Sequence, residues 1–267
     1  MCLTPINLRK VYGYDSLTVP CGKCLECKMA RTKSWFVRLT EELKHATSAY
    51  FVTFTYSDEM ISFFAQECYS DNGLLTLNYR HFQLFMKRAR KLQKSKIKYY
   101  TAGEYGSQTF RPHYHAIVFN VEDIQAFINT WDYGHCHVGS VSEKSIYYTL
   151  KYVSKGILDS QVRDKDDDRK PEKALMSKNL GLEYLSPAVV KYLKDDVSRN
   201  YMMLGGTTLP LPRYYKDKIY DDFDRVARKM ATVDYLEERY QRISDPLFPQ
   251  RVKKMYDKVY NSLAKTD

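Results

Sequence analysis

An α+β fold built on an antiparallel central sheet is what this 267-residue chain predicts, on three observations. Tyr50 to Tyr56 alternates as a strand does. Two further extended runs, near 97–104 and 113–119, flank the turn residues Gly106-Ser107-Gln108, and strands joined by so short a turn pair antiparallel. Helical periods separate the strands, clearest in Phe82, Phe85, Met86, Ala89 and Leu92 within 78–94.

Taken in order, residues 1–31 read as irregular and carry Cys2 and the run Cys21-Gly22-Lys23-Cys24-Leu25-Glu26-Cys27. Phe36, Leu39 and Leu43 mark a helix over 33–46 with Ser34 as its cap. The strand from Tyr50 follows, then a loop or insertion over 57–77. The helix over 78–94 sets Arg80, Lys87, Arg88 and Lys91 on its polar face, with more lysines in the strand behind it. After the strand pair come a helix near 121–131, a strand near 135–141 and a helix over roughly 143–155. That order is close to a ferredoxin-like arrangement with flanking helices. Beyond Gly156, residues 159–173 are dense in Asp, Lys and Arg and read as a mobile loop, and helical periods return at 187–199 and 217–241. Three regions result: a Cys-rich N-terminal segment and helix (1–48), an α+β core (49–156) and a mostly helical C-terminal appendage (157–267).

Composition narrows the function. A net charge of +10, with 24 tyrosines and 12 phenylalanines, suits a polyanion whose unpaired bases stack on aromatic rings. No apolar run approaches a membrane span and no secretory pattern opens the chain, so six cysteines fit a reducing compartment. No Gly-x4-Gly-Lys-Ser/Thr occurs, which argues against a P-loop helicase.

The chemistry concentrates in two places. In Arg111-Pro112-His113-Tyr114-His115 the histidines are i, i+2 on a strand, so both imidazoles point to one face. A hairpin symmetric about the 108–109 bond sets Glu104 opposite His113 and completes a carboxylate–imidazole set for a divalent cation. In Tyr147-Tyr148-Thr149-Leu150-Lys151-Tyr152-Val153-Ser154-Lys155, Tyr148 and Tyr152 are a helical turn apart, and each precedes a lysine, Lys151 or Lys155, by three residues. A phenol is a poor nucleophile at neutral pH unless a nearby cation favours its phenolate. Tyrosine, metal and lysine are the parts of a transesterification that cuts a phosphodiester. His135-Cys136-His137 is a second His-x-His pair with no upstream carboxylate partner; it reads as packing or DNA-facing. Cys2, Cys21, Cys24 and Cys27 have the spacing of a structural zinc site, with an iron–sulfur cluster or unliganded thiols as alternatives.

Glu104, His113-Tyr114-His115 and Tyr148-x3-Tyr152, in that order, resemble the His-hydrophobe-His (HUH) endonucleases of rolling-circle replication. The repeated Tyr-x-x-Lys unit resembles the two-tyrosine subgroup that includes the microvirus initiators. Phe51-Val52-Thr53-Phe54-Thr55-Tyr56 is similar to the family's first strand motif, and the Cys cluster to that of gokushovirus-type initiators. The resemblance implies a nickase and strand transferase with Mg²⁺ or Mn²⁺ on Glu104, His113 and His115, and with Tyr148 and Tyr152 as nucleophiles. It also implies single-stranded DNA from an origin hairpin as substrate, a host helicase and polymerase as partners, no membrane, and a bacterial host's cytoplasm as the setting. Arg80, Lys87, Arg88, Lys91 and Arg111 are the expected DNA-binding cations. The rival readings are a non-catalytic, zinc-stabilised nucleic-acid-binding protein and an HUH relaxase or transposase.

Overall fold

The computed structural model describes residues 2–11, 14–106, 108–150, 166–196, 198–221 and 224, and the chain divides into two compact units, Met1–Tyr184 and Leu185–Asp267. In the first unit a hairpin, β1 (Ile6–Val11) and β2 (Tyr14–Val19), leads into the long helix α1 (Leu25–His45). Then come β3 (Ala49–Tyr56), α2 (Asp58–Phe63), α3 (Ala65–Cys68) and α4 (Tyr79–Ala89). β4 (Lys98–Tyr105), β5 (Pro112–Phe119), α5 (Ile124–Ile128) and β6 (Gly134–Ser140) follow. Helix α6 is described over residues 143–150, and β7 (Ala174–Met176) ends the run of strands. The central sheet is five-stranded and antiparallel, in the order β6-β3-β5-β4-β7.

Period-two alternation gives this sheet two different faces. Val52, Phe54 and Tyr56 of β3, with Tyr114, Ala116 and Val118 of β5, face α4 and α5 and are buried. Phe54 packs on Phe82 and Phe85 of α4, and Phe85 meets Phe127 of α5 edge-on with ring centroids 5.0 Å apart. Each such ring contributes about 1.5–3 kcal/mol by leaving water. Asn78 caps α4 by accepting a hydrogen bond from the Arg80 amide. On the other face lies α1, where Trp35 packs against Tyr100 and Glu42 forms an ion pair with Lys98 at 2.7 Å.

Several expectations need correcting. Residues 6–19 form a hairpin rather than an irregular segment, and α1 starts eight residues before the expected 33, with Cys24 and not Ser34 at its N-cap. The 57–77 loop contains α2 and α3. The expected 121–131 helix shrinks to the five residues of α5. Leu92 is exposed, because α4 ends at Ala89. Of the charged 159–173 stretch, the described residues 166–173 are tied down: the Lys170 amide donates to Thr76 Oγ1, Tyr105 Oη to the Lys170 carbonyl, and Tyr79 Oη to the Pro171 carbonyl. They lead into β7, a strand the helical reading of 157–267 did not contain.

The second unit has α7 (Pro187–Lys194), a hairpin of β8 (Tyr201–Leu204) and β9 (Thr207–Pro210), and α8 (Arg213–Ile219). Tyr220 Oη donates to the Leu193 carbonyl at 3.0 Å. Most of the expected 217–241 helix lies outside the described residues.

Gly134, at the start of β6, has φ +148°, and a Cβ there would sit 2.4 Å from the Thr55 carbonyl oxygen and 2.3 Å from the Ser57 nitrogen. Backbone cannot move aside as a side chain can. Gly134→Ala is expected to destabilise the protein by more than about 2 kcal/mol, read as a lowered denaturant midpoint.

Candidate metal centre

The β4–β5 pairing places Glu104 opposite His113, the register a symmetric hairpin predicts. The connecting turn is closed by the Gly106 amide donating to the Arg111 carbonyl at 3.0 Å, with Phe110 at φ 51° making the reversal. The same carbonyl oxygen lies 3.1 Å from His113 Nδ1. His115 Nδ1 is held by Thr53 Oγ1 of β3 at 3.0 Å. With both Nδ1 atoms occupied from behind, both Nε2 atoms turn toward Glu104, each 3.2 Å from Oε2. Potential ligand atoms of all three residues lie within 4.8 Å of one another.

The electrostatics follow from this enclosure. Burial works against the charge of Glu104, yet the two imidazoles outweigh it and hold the carboxyl below its ordinary range. Burial also opposes a charge on His113, but the Glu104 carboxylate and the Arg111 carbonyl raise it overall. At His115 burial prevails and the ring is pushed down, Glu104 only partly offsetting it. Two imidazoles and a carboxylate, each imidazole steered through its far nitrogen, form a donor set that fits a divalent metal.

Helix α6 brings a phenol to this cluster. Ser142 and Ser145 cap its start reciprocally: the Ser145 amide donates to Ser142 Oγ and the Ser142 amide to Ser145 Oγ. Ile146 and Leu150, a turn apart, are fully buried and seat the helix. Tyr148 then emerges at the margin, 38% exposed, its ring edge-on to His115 at 5.1 Å between centroids and to Phe51 at 6.1 Å. Phe51 itself stacks on His115 at 5.6 Å. Tyr147, expected in the core, is half-exposed and stacks on Phe36 of α1 at 4.2 Å. Tyr152, Lys151 and Lys155 lie outside the described residues.

The second histidine pair joins the same face. Across β3, Thr55 is flanked by His113 and His135, and Thr53 by His115 and His137. Residues directly opposite in an antiparallel sheet share a face, so four imidazoles form two rows on one surface. His135 and His137 are exposed. Sequence reasoning could not align them, since the alignment needs β3 as the strand between.

The expected cations are dispersed. Arg80, Lys87, Arg88 and Lys91 belong to or follow α4, which packs on the opposite face of the sheet from the histidines. Arg88 is engaged with Asp132 at 2.9 Å and with the Thr130 carbonyl. Arg111 sits beside the centre but is bound to Asp58 and to the Tyr56 carbonyl. Cys2, Cys21, Cys24 and Cys27 are brought together as a separate group.

A two-faced antiparallel sheet carrying a buried carboxylate–imidazole set on one face defines an α+β protein with a metal-type centre. Residues 49–157, which hold that sheet's first four strands and the centre, match the family model described as replication-associated protein ORF2. The chain is 28% identical over 257 residues to the replication-associated protein ORF2 of Spiroplasma virus 4, covering 88% of this chain and 76% of that protein. It is 29% identical over 229 residues to the replication-associated protein VP4 of Bdellovibrio phage phiMH2K, covering 76% and 67%. It is 27% identical over 228 residues to the replication-associated protein ORF4 of Chlamydia phage 1, covering 76% of this chain and about half, 53%, of that protein. No solved structure matches. The likeness to microvirus replication initiators read from the motifs is borne out, and the chain is a microvirus-like replication-associated protein. Among the described residues no helix is long and apolar enough to cross a membrane.

Thr53 read on sequence as a β-former; its hydroxyl proves to orient His115. Thr53→Val keeps the shape and removes that bond. Mn²⁺ affinity is expected to fall about 10–100-fold with the thermal midpoint little changed, as measured by calorimetric titration and thermal unfolding.

Proposed function

We propose that this chain nicks and rejoins single-stranded DNA at an origin, initiating rolling-circle replication through a 5′-phosphotyrosine intermediate. The observation that carries the reading is the edge-on contact of Tyr148 with His115, which puts a helix-borne phenol against the Glu104–His113–His115 set. Replication-associated proteins as relatives agree with a role on viral DNA.

In the reaction, the scissile phosphate lies between Tyr148 and the imidazoles. The Tyr148 oxygen gives up its proton and attacks phosphorus in line. The new Oη–P bond replaces the P–O3′ bond, and the departing 3′ oxygen takes a proton to become a priming 3′-OH. A Mg²⁺ or Mn²⁺ ion held by Glu104, His113 and His115 would withdraw charge from the phosphate oxygens. Arg111 and Thr53 keep the two imidazoles aimed, so little reorganisation accompanies charge development. Because the phosphotyrosine keeps the energy of the broken linkage, a 3′-OH attacking it reseals the strand without ATP. Tyr152, one turn further on, serves as a second nucleophile while Tyr148 is occupied, and Lys151 and Lys155 neutralise phosphate nearby. The single strand continues along the open histidine face past His135 and His137. Unwinding and synthesis then fall to a host helicase and polymerase in the bacterial cytoplasm.

The test is an SDS-resistant adduct with labelled origin single strand, formed only with divalent metal. Tyr148→Phe and Tyr152→Phe singly should reduce it and the double variant should abolish it; an adduct persisting in the double variant contradicts the nucleophile assignment. A second measurement isolates the strand path. His135→Ala with His137→Ala is expected to weaken single-strand binding about 3–30-fold, the loss of two hydrogen bonds, while adduct formation at saturating DNA keeps its rate.

A further inference from the structure

The cysteines of the N-terminal segment take no part in the proposed reaction, yet they form the other cluster of metal-type ligands among the described residues. Cys2 precedes β1, Cys21 follows β2, Cys24 is the N-cap of α1 and Cys27 lies in its first turn. Gly22, at φ +74°, makes the tight turn between the second and third. The hairpin returns the chain so that the sulfur separated in sequence, that of Cys2, rejoins the Cys-x2-Cys-x2-Cys run. Sγ atoms of all four lie within 4.8 Å of one another.

The spacing discriminates between chemistries. Cys2 and Cys24 have their sulfurs 3.7 Å apart. A tetrahedral zinc with Zn–S bonds of about 2.3 Å spaces its sulfurs by about 3.8 Å, whereas a disulfide requires about 2.05 Å. None of these cysteines is in a disulfide. Backbone amides are already aimed at the sulfurs: Cys21 N–H at Cys2 Sγ (3.1 Å), Cys24 N–H at Cys21 Sγ (3.2 Å), Leu3 N–H at Cys24 Sγ (3.3 Å) and Lys23 N–H at Cys21 Sγ (3.4 Å). Amide donors favour thiolate over thiol, and thiolate is the form that binds metal.

The local structure also calls for a clamp. β1 and β2 pair only with each other, and Ile6 and Leu8 are exposed. An isolated two-stranded hairpin is marginal in water. The geometry points to a structural zinc ion bound by Cys2, Cys21, Cys24 and Cys27, which fastens the β1–β2 hairpin to the first turn of α1. Because α1 runs on to the sheet, where Glu42 meets Lys98 and Trp35 meets Tyr100, the ion fixes the base of the hairpin to the helix that packs on the core. Zinc, with four thiolates and no open position, holds structure here and does no chemistry.

The experiment separates this site from the histidine centre. Full-length chain carrying His113→Ala and His115→Ala, purified in reductant without chelator, is expected to retain one zinc per chain by plasma mass spectrometry. Adding Cys21→Ser and Cys24→Ser should remove it. In the unsubstituted chain, a thiol-specific mercurial should release zinc in step with thiol modification. Cobalt exchanged into the site should show thiolate-to-cobalt charge transfer with tetrahedral bands. On zinc release, amides of residues 6–19 should exchange at least ~10-fold faster. Zinc absent from the histidine variant, zinc retained in the cysteine variant, iron with acid-labile sulfide in its place, or a Cys2–Cys24 disulfide would each overturn the proposal. None of these outcomes bears on the tyrosine chemistry, which the adduct assay reads separately.

Discussion

The antiparallel pairing of β4 with β5 carries the candidate centre, because side chains alternate with period two along each strand. A slip of one residue would turn Glu104 to the opposite face from His113 and His115 and swap the buried and ligand-bearing faces of a strand. Two things hold the register. The Gly106–Arg111 closure sets the turn length, and the buried Tyr114, Ala116 and Val118 anchor alternate positions against α4 and α5. The Arg111 carbonyl closes the turn and orients His113, so one backbone oxygen links the hairpin's geometry to the ring it presents.

From that pairing follows a division of labour between the sheet's faces. One is an aromatic core of Phe54, Phe82, Phe85, Phe127 and Trp131, dry and closely packed. The other carries rows of Thr and His, with Phe51 and Tyr148 closing over His115. A rigid apolar layer beneath lets polar groups above keep fixed positions, and a buried carboxylate between two imidazoles is held ready for a cation. The open continuation at His135 and His137 leaves room beside the centre for an extended ligand.

Segments with weak local signals are secured by long-range polar contacts. Residues 166–173 have almost no apolar content, yet their backbone is bound to Thr76, Tyr79 and Tyr105, and β7 extends the sheet from there. Buried Glu42 likewise accepts both Lys98 Nζ and the Gly181 amide, joining α1 to the sheet edge and to the segment after β7. Removing one partner of such a group leaves the other buried and unsatisfied, so these ties stabilise more than their small number suggests.

Local pattern was enough for part of this protein. The alternation in β3, β4 and β5, the apolar stripe of α4, the i, i+2 histidines and the Glu104–His113 register were all legible in the sequence, since each depends on residues near in the chain and on a fixed side-chain period. Tertiary structure alone decided the rest. Thr53 became a tether for His115, His135 and His137 joined the ligand-bearing face, the α4 cations fell on the opposite side, and Cys2 met the other cysteines. Each of those relations crosses a strand pairing or a helix-on-sheet contact between segments distant in the chain. No periodicity along one segment encodes which neighbour it will acquire, and that is the physical reason they could be read only from the folded molecule.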